Sequence, residues 1–169
     1  MNIETLPQRV LVSAASSGIG KATACAFQLA GAQVAICARG EERLTEAQQE
    51  IEATTGKPVL AFVVDLSVAA DISNMMDELL GQWGAVDVLV NNAGGPPPGN
   101  HESINDEQWG AAFDLTLRSA VRLTNLVLPG MKASGGGRII NLSSYSVKQP
   151  MEAMLLSNSL RLAALGWAK

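Results

Sequence analysis

Short apolar runs alternate with helical patterns along this 169-residue chain, and that alternation points to a parallel sheet covered by helices. Residues 9–14, 33–38, 59–64, 86–90 and 138–142 are short strand patterns with uninterrupted apolar centres, as strands buried on both faces have. Between the first two runs, Ile19, Ala22, Thr23, Ala26, Phe27 and Ala30 recur at helical spacing, and Gly31 follows where a helix would end. A charged helix is predicted over 41–55, stopped by Gly56 and Pro58. Ile72, Met75, Met76, Leu79 and Leu80 make one apolar helix face, read as core rather than as a binding surface. A long helix is predicted from about 106 to 132 and a last one from just after Pro150, still running at Lys169. Residues 94–100, with three prolines and three glycines, can only be a loop.

Right-handed crossovers convert this order into a doubly wound Rossmann-type sheet, strand order 3-2-1-4-5, with ligands at the carboxyl ends of the strands. No repeat or linker divides the chain, so residues 1–169 read as one dinucleotide-binding domain. Twelve basic and sixteen acidic side chains, a net charge of −4, offer nothing to attract nucleic acid or anionic lipid. Cys25 and Cys37 have neither CxxC spacing nor a second pair, so two reduced thiols and no metal site are expected. The polar stretch 1–9, which contains Pro7, lacks a signal-peptide core, and no apolar run is long enough to span a bilayer; a soluble, cytoplasmic protein is expected.

The first strand runs into Ser13-Ala14-Ala15-Ser16-Ser17-Gly18-Ile19-Gly20. Glycines at the start of a helix let the backbone approach a diphosphate, whose charge favours the helix amino terminus, and Ser16 and Ser17 can donate to its oxygens. A Gly-x-Gly alone is weak evidence, but this one follows a strand and opens a helix within the first βα unit.

That segment resembles the glycine-rich turn of the short-chain dehydrogenase/reductase superfamily. Asn91-Asn92-Ala93-Gly94 after the fourth strand matches the superfamily's NNAG motif, and Asp65-Leu66 resembles its adenine-contacting pair. The resemblance covers essentially the whole chain. It implies cofactor contacts from Ser13, Ala15, Ser16, Ser17, Gly18, Ile19, Gly20, Asp65, Leu66, Asn92, Ala93 and Gly94. It departs at Ala14, where the family has a glycine and where a Cβ crowds the turn.

The residue closing the second strand selects the dinucleotide. A carboxylate there accepts from the ribose 2′-hydroxyl, whereas an arginine binds a 2′-phosphate. Here Ala38 is followed by Arg39 and Gly40, with no carboxylate, so NADP(H) is favoured over NAD(H).

The catalytic pattern is only partly kept. The resemblance places the family's serine at Ser144, its tyrosine at Ser157, its lysine at Arg161 and its helix asparagine at Thr116. An aliphatic hydroxyl is a far weaker acid than a phenol, and an arginine holds its proton. Tyr145, the sole tyrosine, precedes Lys148 by three residues in a loop before Pro150, and His101 is a lone loop histidine; neither is expected to be catalytic. Residues 155–161 resemble a 3-oxoacyl-ACP reductase-like subgroup with a similarly altered tetrad. The expected function is an NADP(H)-dependent carbonyl or 3-oxoacyl reductase acting on a small carbonyl or alcohol substrate. The rival is a catalytically silent dinucleotide-binding protein. Family members continue past this point with further strands and a substrate loop, so a chain truncated within its sixth helix is expected. The apolar faces of the last two long helices lead to an expectation of homo-oligomerisation.

Overall fold

The computed structural model describes residues 9–169, so most of the polar amino-terminal stretch lies outside the described residues. Five strands form one parallel sheet: β1 (Arg9–Ser13), β2 (Gln33–Ala38), β3 (Val59–Val63), β4 (Val88–Asn91) and β5 (Arg138–Asn141). Their order is β3-β2-β1-β4-β5, the doubly wound order expected from the sequence. The change of direction lies between β1 and β4, which pair Val10 with Val88 and Val12 with Val90.

Both faces of the sheet are covered. Val10, Val12, Val34, Ile36, Val88 and Val90 point one way, onto Ala24 of α1 (Gly18–Leu29) and Leu44, Ala47 and Ile51 of α2 (Glu41–Thr55). Leu11, Ala35, Cys37 and Leu89 point the other way. They meet Ile72, Met76 and Leu79 of α3 (Ala69–Trp83) and Leu123 and Val127 of α5 (Ser119–Ala133). Burial on both sides is why these strands read as continuous apolar runs rather than alternating ones. The apolar face of α3 is therefore core. The two edge strands are the exceptions, with Val63 of β3 56% and Ile140 of β5 39% exposed.

The long helix differs from the regular one predicted. α4 (Asp106–Phe113) passes into a π turn at Asp114–Arg118 before α5 begins. Around it, Ser119 donates its hydroxyl to the carbonyl of Leu115 at 2.5 Å, and Thr116 within it is buried. An apolar-periodicity reading does not resolve one wide turn. The last helix, α6 (Leu155–Trp167), also begins later than expected. The segment after Pro150 makes a turn instead, with Ala153 at φ 54°, and bridges to Gly99: Gly99 N–H donates to the Ala153 carbonyl at 2.6 Å, and Leu155 N–H donates to the Gly99 carbonyl at 3.2 Å. Asn158 adds a clamp, its amide donating to the Met151 carbonyl at 2.8 Å. Ala112, Leu156 and Leu160 form a small separate cluster joining α4 to α6.

Candidate functional site

The carboxyl ends of β1, β2 and β4 open onto a cleft of about 590 Å³, bordered by Ser16 and Ser17 on one side and by Asn92, Ala93 and Gly94 on the other. Its shape begins with the turn after β1. Ala14 adopts φ 47°, a left-handed conformation that glycine takes freely and alanine takes at a cost of about 1–2 kcal/mol. The alanine does not block the turn; it lines the cleft, and its carbonyl accepts from the Asn92 side-chain amide at 3.1 Å. Gly18, at φ 55°, opens α1, where unpaired backbone N–H groups collect.

Gly20 permits the close approach. A Cβ at this position would stand 2.6 Å from the Ala14 carbonyl oxygen, 2.7 Å from Asn92 Nδ2 and 3.0 Å from Ala15 Cα. Only a hydrogen lets α1 sit this tightly behind the turn. Ser13 has its hydroxyl committed: it donates to the Asn92 carbonyl at 2.7 Å and accepts from Asn92 N–H at 2.9 Å. That pair ties the end of β1 to the end of β4. Ala15 is fully buried behind the turn, whereas Ile19 is largely exposed.

Arg39 stands at the far end of the cleft, its side chain 69% exposed and its Nη1 3.8 Å from Asp65 Oδ2. Arg43, one turn along α2, lines the same wall. It was not singled out in the sequence, although its i+4 relation to Arg39 was a readable signal. No carboxylate is among the described residues that line the cleft. The Asp65 carboxylate is turned to its own loop, accepting from Ser67 N–H at 2.9 Å and Ser67 Oγ at 2.6 Å. Burial pushes this carboxyl up, but the Ser67 bonds and the charge of Arg39 outweigh it and hold the pKa below the usual 3.8. Leu66, buried, supplies part of the cleft wall. A glycine cradle at one end and two guanidinium groups at the other, with Asp65 near Arg39 but turned to its own loop, fit an anionic dinucleotide.

The candidate catalytic residues gather between β4, β5, the π turn and α6, but not at one point. Thr116 and Arg161 line a second, smaller cavity of about 70 Å³, with Asn91 and Ser143. Asn92 and Ala93 also line it, so it adjoins the cleft. Ser144 and Ser157 do not line it. The Ser144 hydroxyl accepts from Ser146 N–H at 3.2 Å, capping a 3₁₀ turn at Tyr145–Val147, and Ser157 is buried in the first turn of α6. Burial lowers the pKa of the Arg161 guanidinium, which donates to the Leu142 carbonyl at 3.4 Å. Tyr145 is 69% exposed in its turn.

A family description, short chain dehydrogenase, matches residues 8–157 of this sequence. The chain belongs to the short-chain dehydrogenase family. Among its relatives is a Streptomyces violaceoruber protein named for a ketoacyl reductase of granaticin polyketide synthase, 39% identical over 141 residues, covering 82% of this chain and 52% of that one. A Salmonella typhimurium NADP-dependent 3-hydroxy acid dehydrogenase, YdfG, is 36% identical over 144 residues, covering 83% of this chain and 56% of its own length. The L-sorbose reductase of Gluconobacter frateurii, solved with NADPH and L-sorbose, superposes with a TM-score of 0.92 at 32% identity, covering 99% of this chain and 64% of the other. This short-chain dehydrogenase chain thus spans between about half and two thirds of these relatives. No helix among its described residues is long and apolar enough to cross a membrane, and no cluster of metal-binding side chains occurs among them.

Proposed function

We propose that this short-chain dehydrogenase chain binds NADP(H) and serves as an oxidoreductase of small carbonyl or alcohol substrates, of the ketoacyl or hydroxy-acid type carried by its named relatives. The observation that carries this reading is the cleft itself, with backbone donors around Gly18 and Gly20 at one end and Arg39 and Arg43 at the other. Ser16, Ser17, Gly18, Ile19 and Gly20 would hold the diphosphate, aided by Ser13 and Ala15, which shape the turn. Arg39 would bind the 2′-phosphate; Leu66, Asn92, Ala93 and Gly94 would complete the adenosine and ribose walls, with Asp65 behind them, bonded to Ser67 and near Arg39. The preference for NADP(H) over NAD(H) rests on these guanidinium groups and the absence of a carboxylate among the described residues that line the cleft.

The bound nicotinamide would supply the hydride chemistry. Of the chain's own groups, Ser144 would hold the substrate oxygen, while Thr116 and Arg161 would present polar donors from a cavity that Ser144 does not line. Ser157 stands where a stronger acid is usual, and Arg161 is a fixed charge that does not relay a proton. The protein is proposed to act as one domain, in the cytoplasm and as a homo-oligomer. The exposed Leu162, Leu165 and Trp167 of α6 support self-association.

A silent dinucleotide-binding protein is favoured by one specific feature, the burial of a serine at position 157 where the family's acid would stand. NADPH oxidation against a panel of ketones and 3-oxo esters separates the two. The native chain is expected to turn over slowly and Ser157→Tyr with Arg161→Lys to turn over faster. Binding of NADPH with turnover only in the double variant would overturn the enzyme reading.

A further inference from the structure

The cavity beside Arg161 contains groups that the cofactor cleft does not use. Thr116 is 93% buried, and its Oγ1 faces no hydrogen-bond partner, as does Oδ1 of the equally buried Asn91. Arg161 is half-buried, has no carboxylate within ion-pair distance among the described residues, and makes one long bond of 3.4 Å to the Leu142 carbonyl. Of the other hydroxyls on the wall, Ser13 is committed to Asn92 and Val90 and Ser119 to Leu115, while that of Ser143 stands on an exposed residue where solvent can reach it. A partly desolvated cation without a counter-charge costs stability, and so does a buried hydroxyl without a partner. Both line the same space.

We propose that this cavity is a carboxylate subsite, in which the Arg161 guanidinium and the Thr116 hydroxyl hold the acid group of a small organic acid. A planar carboxylate accepts two bonds from a guanidinium in parallel and a third from a hydroxyl, which answers the unmet donors together. Water alone would satisfy Thr116 but leave the cation uncompensated. Asn91 Oδ1 only accepts, so it pairs with a water beside the acid; the ~70 Å³ available is several times the ~10–15 Å³ one water needs. Because Asn92 and Ala93 border both spaces, an acid held here stands next to the cofactor cleft. Resting on the oxidoreductase reading, the substrate class becomes a carbonyl or hydroxy compound that also carries a carboxylate.

The test is binding to the cofactor-free chain, followed by the carboxyl resonance of ¹³C-labelled acetate. Saturable binding is expected in the native chain and in Thr116→Ser. It should weaken at least tenfold in Arg161→Gln and severalfold in Thr116→Val, with Arg161→Lys keeping part of it. Without acetate, Arg161→Gln should melt no lower than the native chain, since it removes a half-buried charge rather than a structural bond. Equal acetate affinity in the native chain and Arg161→Gln, no saturable binding in the native chain, or equal displacement by inorganic phosphate would overturn the carboxylate subsite. NADPH binding, measured separately by fluorescence, keeps the two readings apart. NADPH bound without acetate sinks the subsite alone, and acetate bound without NADPH sinks the nucleotide reading alone.

Discussion

Replacing Gly20 by alanine tests the geometry on which the cofactor cleft depends. The new methyl would sit 2.6 Å from the Ala14 carbonyl oxygen and 2.7 Å from Asn92 Nδ2, and the first of these is backbone that no rotamer change can move away. Overpacking of this kind costs roughly 1–3 kcal/mol. Displacing Asn92 also breaks its 3.1 Å bond to Ala14, adding about 1 kcal/mol. Against these, alanine is favoured over glycine within a helix by about 1 kcal/mol. The net loss is about 1–3 kcal/mol, a Tm drop of roughly 2–12 °C at the ~2–4 °C per kcal/mol expected of a chain this size. Calorimetry should find that drop together with lost NADPH binding. A cycle with Asn92→Ala identifies the cause. In the Gly20→Ala background the Asn92 bond is already gone, so the two substitutions should combine to about 1 kcal/mol less than their sum. Gly18→Ala is the control, because a Cβ there meets nothing within 4 Å and costs only its left-handed backbone strain. Additive effects of Gly20→Ala and Asn92→Ala, or an unchanged Tm, would refute the close-approach argument.

Arg39→Ala should weaken NADPH binding by tenfold or more and leave NADH binding almost unchanged, as read by fluorescence titration; equal losses would remove the basis for the cofactor preference. Asp65 has a folded pKa below its unfolded value, so its contribution is present at neutral pH and is lost as the pH falls below about 4. Urea unfolding should therefore find Asp65→Asn less stable than the native chain by about 1 kcal/mol at pH 7, with the gap closing towards pH 3. A gap that persists or widens in acid would contradict this. Burial pushes the Cys37 thiol up to about 12, so iodoacetamide at pH 8 should label the half-buried Cys25 well before Cys37. Peptide mass spectrometry showing equal rates would mean that β2 is not closed over as described.

The sheet was legible because each of its inner strands is buried on both faces, and double burial writes a continuous apolar run into the sequence with no reference to distant residues. The Gly18–Gly20 turn and the Asn91-Asn92 pair were legible for a similar local reason: a strand, a tight turn and a helix amino terminus follow one another directly. What the tertiary structure decided is which groups meet across long separations. Ser13 engages Asn92, 79 residues away, so its hydroxyl braces the site rather than facing the cleft. Asp65 turns from the cleft to Ser67, and Arg43 joins Arg39 on the wall. Thr116, in the π turn, lines the same cavity as Arg161, while Ser144 and Ser157 stand outside it. Spacing along a chain records periodicity; it does not record which buried hydroxyl finds a partner and which is left without one, because that depends on how β4, β5 and α6 pack.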